Sequence, residues 1–120
     1  MLQKVSVIVP CYNSEKYLED SLQCLLSQHD ANLEIICVND GSTDETGQIL
    51  QRYENDHQNI RIVDLKENQG LLHARLAGAE RATGDYIAFM DSDDKVTRHW
   101  FGALVRKAEE CKADLVFGDM

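Results

Sequence analysis

Three carboxylates fall within four residues at Asp91, Asp93 and Asp94, in the stretch FMDSDD. They follow the apolar run Tyr86–Met90 directly, so the charge lies at the end of a segment that reads as buried strand. One aspartate is enough to cap a following helix, and three are present. Like charges this close raise their pKa values or need a counter-ion. A divalent cation meets that need. Mg2+ and Mn2+ prefer oxygen ligands, and Mg2+ is usually held by one or two carboxylates plus substrate phosphates. The expected cofactor is therefore Mn2+ or Mg2+, bridging the aspartates to a phosphate-bearing ligand.

Other residues have chemical potential of their own. Tyr12 and Asn13, after Pro10 in PCYNS, offer an aromatic face and a short polar side chain, although a strand stop and a helix cap account for the same residues. In NDGSTDET, Ser42 and Glu45 form a capping-box pattern, which leaves Asp40 spare. Its position is like that of the acidic residue that binds a ribose hydroxyl in dinucleotide folds. Those folds also need GxGxxG after the first strand, where this chain has PCYNSE. A nicotinamide or flavin enzyme is excluded on that ground, and the lack of GxxxxGK[ST] excludes a P-loop NTPase. Arg75 lies near the start of a helix, where a ligand contact and a surface ion pair explain it equally well.

The elements that must position these residues alternate in kind. Lys4–Val9, Leu33–Asn39, Ile60–Leu65, Tyr86–Met90 and Asp114–Phe117 read as strands, the first two nearly continuous in apolar residues. Helices are expected between them. The first spans about Glu15 to Gln28, capped by Asn13 or Ser14, with Leu18, Leu22, Leu25 and Leu26 inward. The second carries Thr46, Ile49, Leu50 and Tyr53. The third runs from about Gly70 to Ala82 with Leu72, Leu76 and Ala79 facing in. The fourth carries Phe101, Leu104, Val105 and Ala108. Strands alternating with helices imply a doubly wound α/β fold with parallel strands. Such sheets bind ligands beyond the carboxyl ends of their strands. That selects the loops Pro10–Ser14, Asp40–Asp44, Lys66–Gly70 and Asp91–Asp94.

Composition narrows the partners. The 120 residues suit one domain, and the net charge of −9, with no Lys/Arg cluster, argues against nucleic acid. A dication lets so acidic a protein bind an anionic diphosphate. Cys11, Cys24, Cys37 and Cys111 lack CxxC spacing, and three lie in apolar patterns, which fits buried free thiols in a reducing compartment rather than a zinc site. No apolar run is long enough to cross a bilayer, and MLQKVSVIVP lacks the plan of a signal peptide. A cytoplasmic location is expected, with any membrane attachment made through parts of a longer protein.

VSVIVPCYN, IICVNDGSTDET and NQGLLHARLAGAERATGDYIAFMDSDD, in this order, resemble the inverting GT-A glycosyltransferases of family 2. The resemblance spans about Lys4 to Phe117. It implies a GT-A-type (Rossmann-like), mostly parallel sheet, here truncated to the half that binds a nucleotide-diphosphate sugar, usually a UDP-sugar. Carried over by motif, Pro10 and Tyr12 line the base and ribose pocket, and Asp40 hydrogen-bonds the base. Arg75 helps hold the nucleotide. Asp91 and Asp93 form the DxD pair, Asp91 near the ribose and Asp93 on the metal. The implied reaction is a single displacement with inversion onto a saccharide acceptor. Family domains are longer, and none of Asp85, Glu109, Glu110, Asp114 or Asp119 matches the position of the general base. The expectation is donor binding without sugar transfer by these residues alone. A sugar-nucleotide pyrophosphorylase is disfavoured because PCYNSEKY has no glycine. A nucleotide-sugar-binding or self-associating module remains the non-enzymatic alternative, exposed edge strand and apolar surface favouring a homodimer.

Overall fold

The computed structural model describes residues 4–28, 31–93, 95 and 100–111, with side chains to residue 107. The expected strand at Asp114–Phe117, together with Asp94, Asp119 and the side chains of Ala108, Glu109, Glu110 and Cys111, lies outside the described set. Within it, strands and helices alternate: β1 (Lys4–Cys11), α1 (Leu18–Leu26), β2 (Asn32–Asp40), α2 (Thr46–Asp56), β3 (Ile60–Leu65), α3 (Leu71–Glu80), β4 (Tyr86–Phe89) and α4 (Trp100–Cys111).

The strands form one all-parallel sheet in the order β3-β2-β1-β4. The chain steps outward from β1 to β3, then returns to the other side of β1. That reversal opens a crevice beyond the carboxyl ends of β1 and β4. β1 and β2 are central, which explains their nearly unbroken apolar character: each is covered on both faces. Val5, Val7, Val9 and Cys11 pack under α1, α2 and α4 with Leu18, Leu22, Leu25, Leu50 and Phe101. Ile8, Ile36 and Val38 face α3.

Three local expectations are corrected. α3 turns Leu72 and Leu76 outward, 70% and 56% exposed, and buries Ala74 and Gly78 instead. Small residues decide this. A Cβ on Gly78 would lie 2.4 Å from Ile8 Cγ2, so only glycine lets the helix backbone approach the sheet this closely. Leu72 and Leu76 sit two positions from Ala74 and Gly78, about 200° around the helix. Second, α1 begins at Leu18, after a turn in which the Ser14 carbonyl accepts from the Tyr17 and Leu18 amides. The side chains of Asn13 and Ser14 do not cap it. Third, Ser42 and Glu45 form no capping box. The Thr46 amide donates to Asp44 Oδ1 (2.9 Å) and the Glu45 amide to Glu15 Oε2 (3.2 Å). Burial pushes the Asp44 carboxyl up, but the Thr46 hydroxyl and amide and the Glu15 amide outweigh it and lower it.

Candidate functional site

Residues freed from local caps lace the strand-end loops together. Asn13, at φ 47°, holds the loop after β2: its amide donates to Ser42 Oγ (3.0 Å), and its Oδ1 accepts from the Thr43 amide (2.8 Å). Asn is one of the few side chains that adopt this left-handed backbone readily. The loop after β3 is held from β2. Asp40, 3% exposed, accepts from the Gln69 amide (2.8 Å), the Gly70 amide (3.1 Å) and Asn68 Nδ2 (3.2 Å). Its carboxylate thus meets free N–H groups at the start of α3, where Gly70 has no side chain to offer. Gly41 makes this possible. At φ 68° it passes so close to the next loop that a Cβ would lie 2.4 Å from the Asn68 nitrogen.

These contacts shape a cleft of about 200 Å³ lined by Pro10, Cys11, Tyr12, Asp40, Asn68, Gly70, Leu71 and Ala74. Tyr12 stands at its rim, half exposed, and Pro10 is buried in its wall. Two carboxylate oxygens accept about four hydrogen bonds, so Asp40 retains capacity for about one more. Cys11 lines the cleft as a neutral thiol: a hydrogen bond with Cys37, together with burial, pushes it well up. Cys11, Cys24 and Cys37 are all free.

Beside the cleft, Arg75 follows Ala74 on α3. Its Nη2 lies 3.5 Å from Asp91 Oδ1, and its guanidinium lies 6.0 Å from the centre of the Phe89 ring. Arg75 Nε is buried without a hydrogen-bond partner. Part of the counter-charge for the acidic loop is therefore this arginine. The Met90 amide donates to the Ile8 carbonyl (3.0 Å), which continues the β1–β4 pairing one step and delivers Asp91 beside the end of β1. Asp91 and Asp93 are exposed, and Ser92 between them is partly buried.

Among the described residues, no three His, Cys, Asp or Glu side chains could hold a metal ion together. Asp91 and Asp93 are both exposed, and their carboxylates are hard oxygen donors of the kind that Mg2+ and Mn2+ prefer. The fold thus gathers Pro10, Tyr12 and Asp40 on one cleft and Arg75, Asp91 and Asp93 next to it. Sequence reasoning took Ser14 for a helix cap, and it missed Asn68 and Ser21. A buried serine within the apolar stripe of α1 was the available signal for the last.

The model for "Glycosyl transferase family 2" matches residues 6–120. The chain belongs to this family. Glycosyltransferase GlyA of Streptococcus pneumoniae serotype 4 is 41% identical over 117 residues, which are 97% of this chain but 16% of GlyA. Among solved structures, S. aureus TarS 1-349 in complex with UDP-GlcNAc superposes with a TM-score of 0.80 at 35% identity, covering 89% of this chain and 31% of that one. The mannosyltransferase PcManGT from Pyrobaculum calidifontis, in complex with GDP-Man and Mn2+, gives 0.82 at 27% identity, over 90% of this chain and 33% of that one. The fold is the GT-A glycosyltransferase fold. The chain spans a third or less of each of these proteins. No helix among the described residues is long and apolar enough to cross a membrane.

Proposed function

We propose that this chain is the donor-binding half of an inverting, metal-dependent glycosyltransferase that moves a sugar from a nucleotide diphosphate, UDP in preference to GDP, to a saccharide acceptor. The observation that carries this is the cleft of Pro10, Tyr12, Asp40 and Ala74 opening beside the Arg75–Asp91 pair. An apolar slot with one half-exposed aromatic and one under-used carboxylate suits a nucleobase with a ring N–H to donate. The Arg75 side chain, 38% exposed beside Asp91, has guanidinium N–H groups to spare for an acceptor on the nucleotide. The complexes of the two solved relatives, one with UDP-GlcNAc and one with GDP-Man and Mn2+, support the donor class. Asp93, with Asp91, would hold a divalent cation that offsets charge developing on the departing diphosphate. Inversion also needs a base within hydrogen-bond reach of the acceptor hydroxyl. Asp85 is not that base: its carboxylate accepts from the Lys4 amide (2.9 Å) at the far end of β4, roughly 20 Å from Asp91 at about 3.3 Å per residue.

The test is thermal stability with UDP or GDP, each with Mn2+ or with EDTA. Mn2+ and UDP together should stabilise more than either alone, by ~2.7 kcal/mol at about 100 times the dissociation constant. For a domain of this size that is on the order of ten degrees. Equal shifts with Mn2+ and with EDTA would remove the metal from the reading, and a larger shift with GDP would reverse the choice of base.

Self-association is a second reading, favoured by the outward Leu71, Leu72 and Leu76 on α3. A helix apolar on more than one side is normally covered on more than one side. Sedimentation should show a concentration-dependent dimer that Leu72→Ser with Leu76→Ser abolishes, with Tm falling no lower than that of the unaltered chain diluted to monomer. A monomer at all concentrations would leave this face to other parts of a longer protein.

A further inference from the structure

We infer that Ser21, acting with Ser14, is a positioning residue for the acidic loop: the two hydroxyls fasten Ser92 and so fix the carboxylates on either side of it. The inference rests on the reading of Asp91 and Asp93 as the cation-binding pair.

Ser21 interrupts the buried stripe of α1, Leu18–Leu22–Leu25, and is itself fully buried. A hydroxyl in such a place is costly unless it is hydrogen-bonded. The default partner of a helical serine is the carbonyl four residues back. Here that carbonyl, of Tyr17, lies at 3.3 Å, while the Ser92 carbonyl lies at 2.6 Å. The single proton of Ser21 goes to the nearer acceptor, 71 residues away in sequence.

Ser14 makes the second attachment. It is 6% exposed, and its Oγ lies 2.7 Å from Ser92 Oγ and 3.3 Å from the Tyr12 carbonyl. Ser14 has one proton. When it donates to Tyr12, Ser92 donates to Ser14, and each hydroxyl in the relay is satisfied. Ser14 is anchored in turn, because its amide donates to Oγ1 of the buried Thr46 (2.8 Å). Ser92, between Asp91 and Asp93, is thus tied by its carbonyl to α1 and by its hydroxyl to the loop after β1, and through that loop to α2.

The consequence is electrostatic. Asp91 and Asp93 flank Ser92, are exposed, and repel each other. An untethered loop would relieve the repulsion by turning them apart, and a cation would then have to reorder it. With Ser92 held on both its backbone and its side chain, the pair is presented to the cation already ordered. Ser21 itself lies on the inner face of α1 and acts only through Ser92.

The experiment measures Mn2+ affinity of the whole chain in saturating UDP, from the spin-resonance signal of free Mn2+, and UDP affinity in EDTA by calorimetry. Ser21→Ala should weaken Mn2+ about ten- to a hundredfold, the usual effect of removing a group that orients metal ligands. Its UDP affinity in EDTA should fall far less than its Mn2+ affinity, because Pro10, Tyr12 and Asp40 line a cleft to which Ser92 does not contribute, whereas a general loss of structure would lower both alike. Ser14→Ala and Ser92→Ala should each weaken Mn2+, and the double variant should be no weaker than the worse single. Asp93→Ala should abolish Mn2+ binding. If Asp93→Ala abolishes it and Ser21→Ala leaves it unchanged, the positioning inference is wrong and the carboxylate reading stands. If Asp93→Ala binds Mn2+ normally, the carboxylate reading fails and the inference with it. Should Ser21→Ala not fold, the Ser14/Ser92 cycle decides: Mn2+ affinities unchanged in both singles would overturn the proposal.

Discussion

Glu34 offers the sharpest test of how the fold positions β4. It is 4% exposed, at the start of β2 and far from the candidate site. Its Oε1 accepts from Ser6 Oγ (2.7 Å) and the Thr83 amide (2.9 Å), and its Oε2 from Thr83 Oγ1 (2.8 Å), with Lys4 Nζ at 3.4 Å. Ser6 Oγ in turn accepts from the Gly84 amide (2.8 Å). The carboxylate therefore pins the turn from α3 into β4, and with it the strand that ends in the acidic loop. Burial pushes the carboxyl up, but the Thr83 amide, the Ser6 and Thr83 hydroxyls and Lys4 outweigh it and hold it at about 2, against an ordinary 4.5. About 2.5 pH units at ~1.4 kcal/mol each gives roughly 3–4 kcal/mol of stability. Because the folded-state value is the lower one, this contribution is complete above pH 4.5 and is lost as pH falls towards 2. Glu34→Gln sets an amide N–H2 against donors, so it should cost ~3 kcal/mol at pH 7. It should also remove about that much of the acid dependence between pH 4.5 and 2. Urea unfolding at a series of pH values reads both. A variant with the stability of the unaltered chain at pH 7 and the same acid slope would refute the clamp.

Gly78→Ala sets two effects against each other. The helix gains roughly 1 kcal/mol from alanine, whereas overpacking against Ile8 costs roughly 1–3 kcal/mol. Net destabilisation in urea is expected, and net stabilisation would mean that α3 does not lie this close to the sheet. Asp40→Asn should leave an amide at the start of α3 poorly paired, costing roughly 1–3 kcal/mol. Hydrogen exchange at Gln69 and Gly70 should accelerate while the amides of β1 stay protected, and UDP should weaken both with Mn2+ and with EDTA. Equal exchange in the two proteins would separate Asp40 from the loop it is seen to hold.

Much of this protein is legible in the chain itself. β-branched runs with few polar interruptions read as strands covered on both faces, and helices between them imply parallel pairing. Parallel pairing brings the loops after β1, β2, β3 and β4 to one edge of the sheet. Asp91 and Asp93 of FMDSDD lie at that edge because they follow closely after β4. The strand and helix inferences succeed because periodicity is a local property. The rest depended on distances that no local pattern encodes. Leucines at positions 72 and 76 looked like a core stripe, but Ala74 and Gly78 won the sheet, because close approach of a helix favours the smallest side chains. Ser42 looked like a cap, yet its hydroxyl accepts from the Asn13 amide, 29 residues earlier. Ser14 looked like one too, and its hydroxyl reaches Ser92, 78 residues away. A hydroxyl has too few hydrogen bonds to serve every partner in reach, and which partner it takes is set by the strand order that brings the loops together. The sequence alone therefore determined the parallel sheet and the edge at which its loops converge. The tertiary structure decided which polar groups stay open at the cleft and which are used up holding the loops in place.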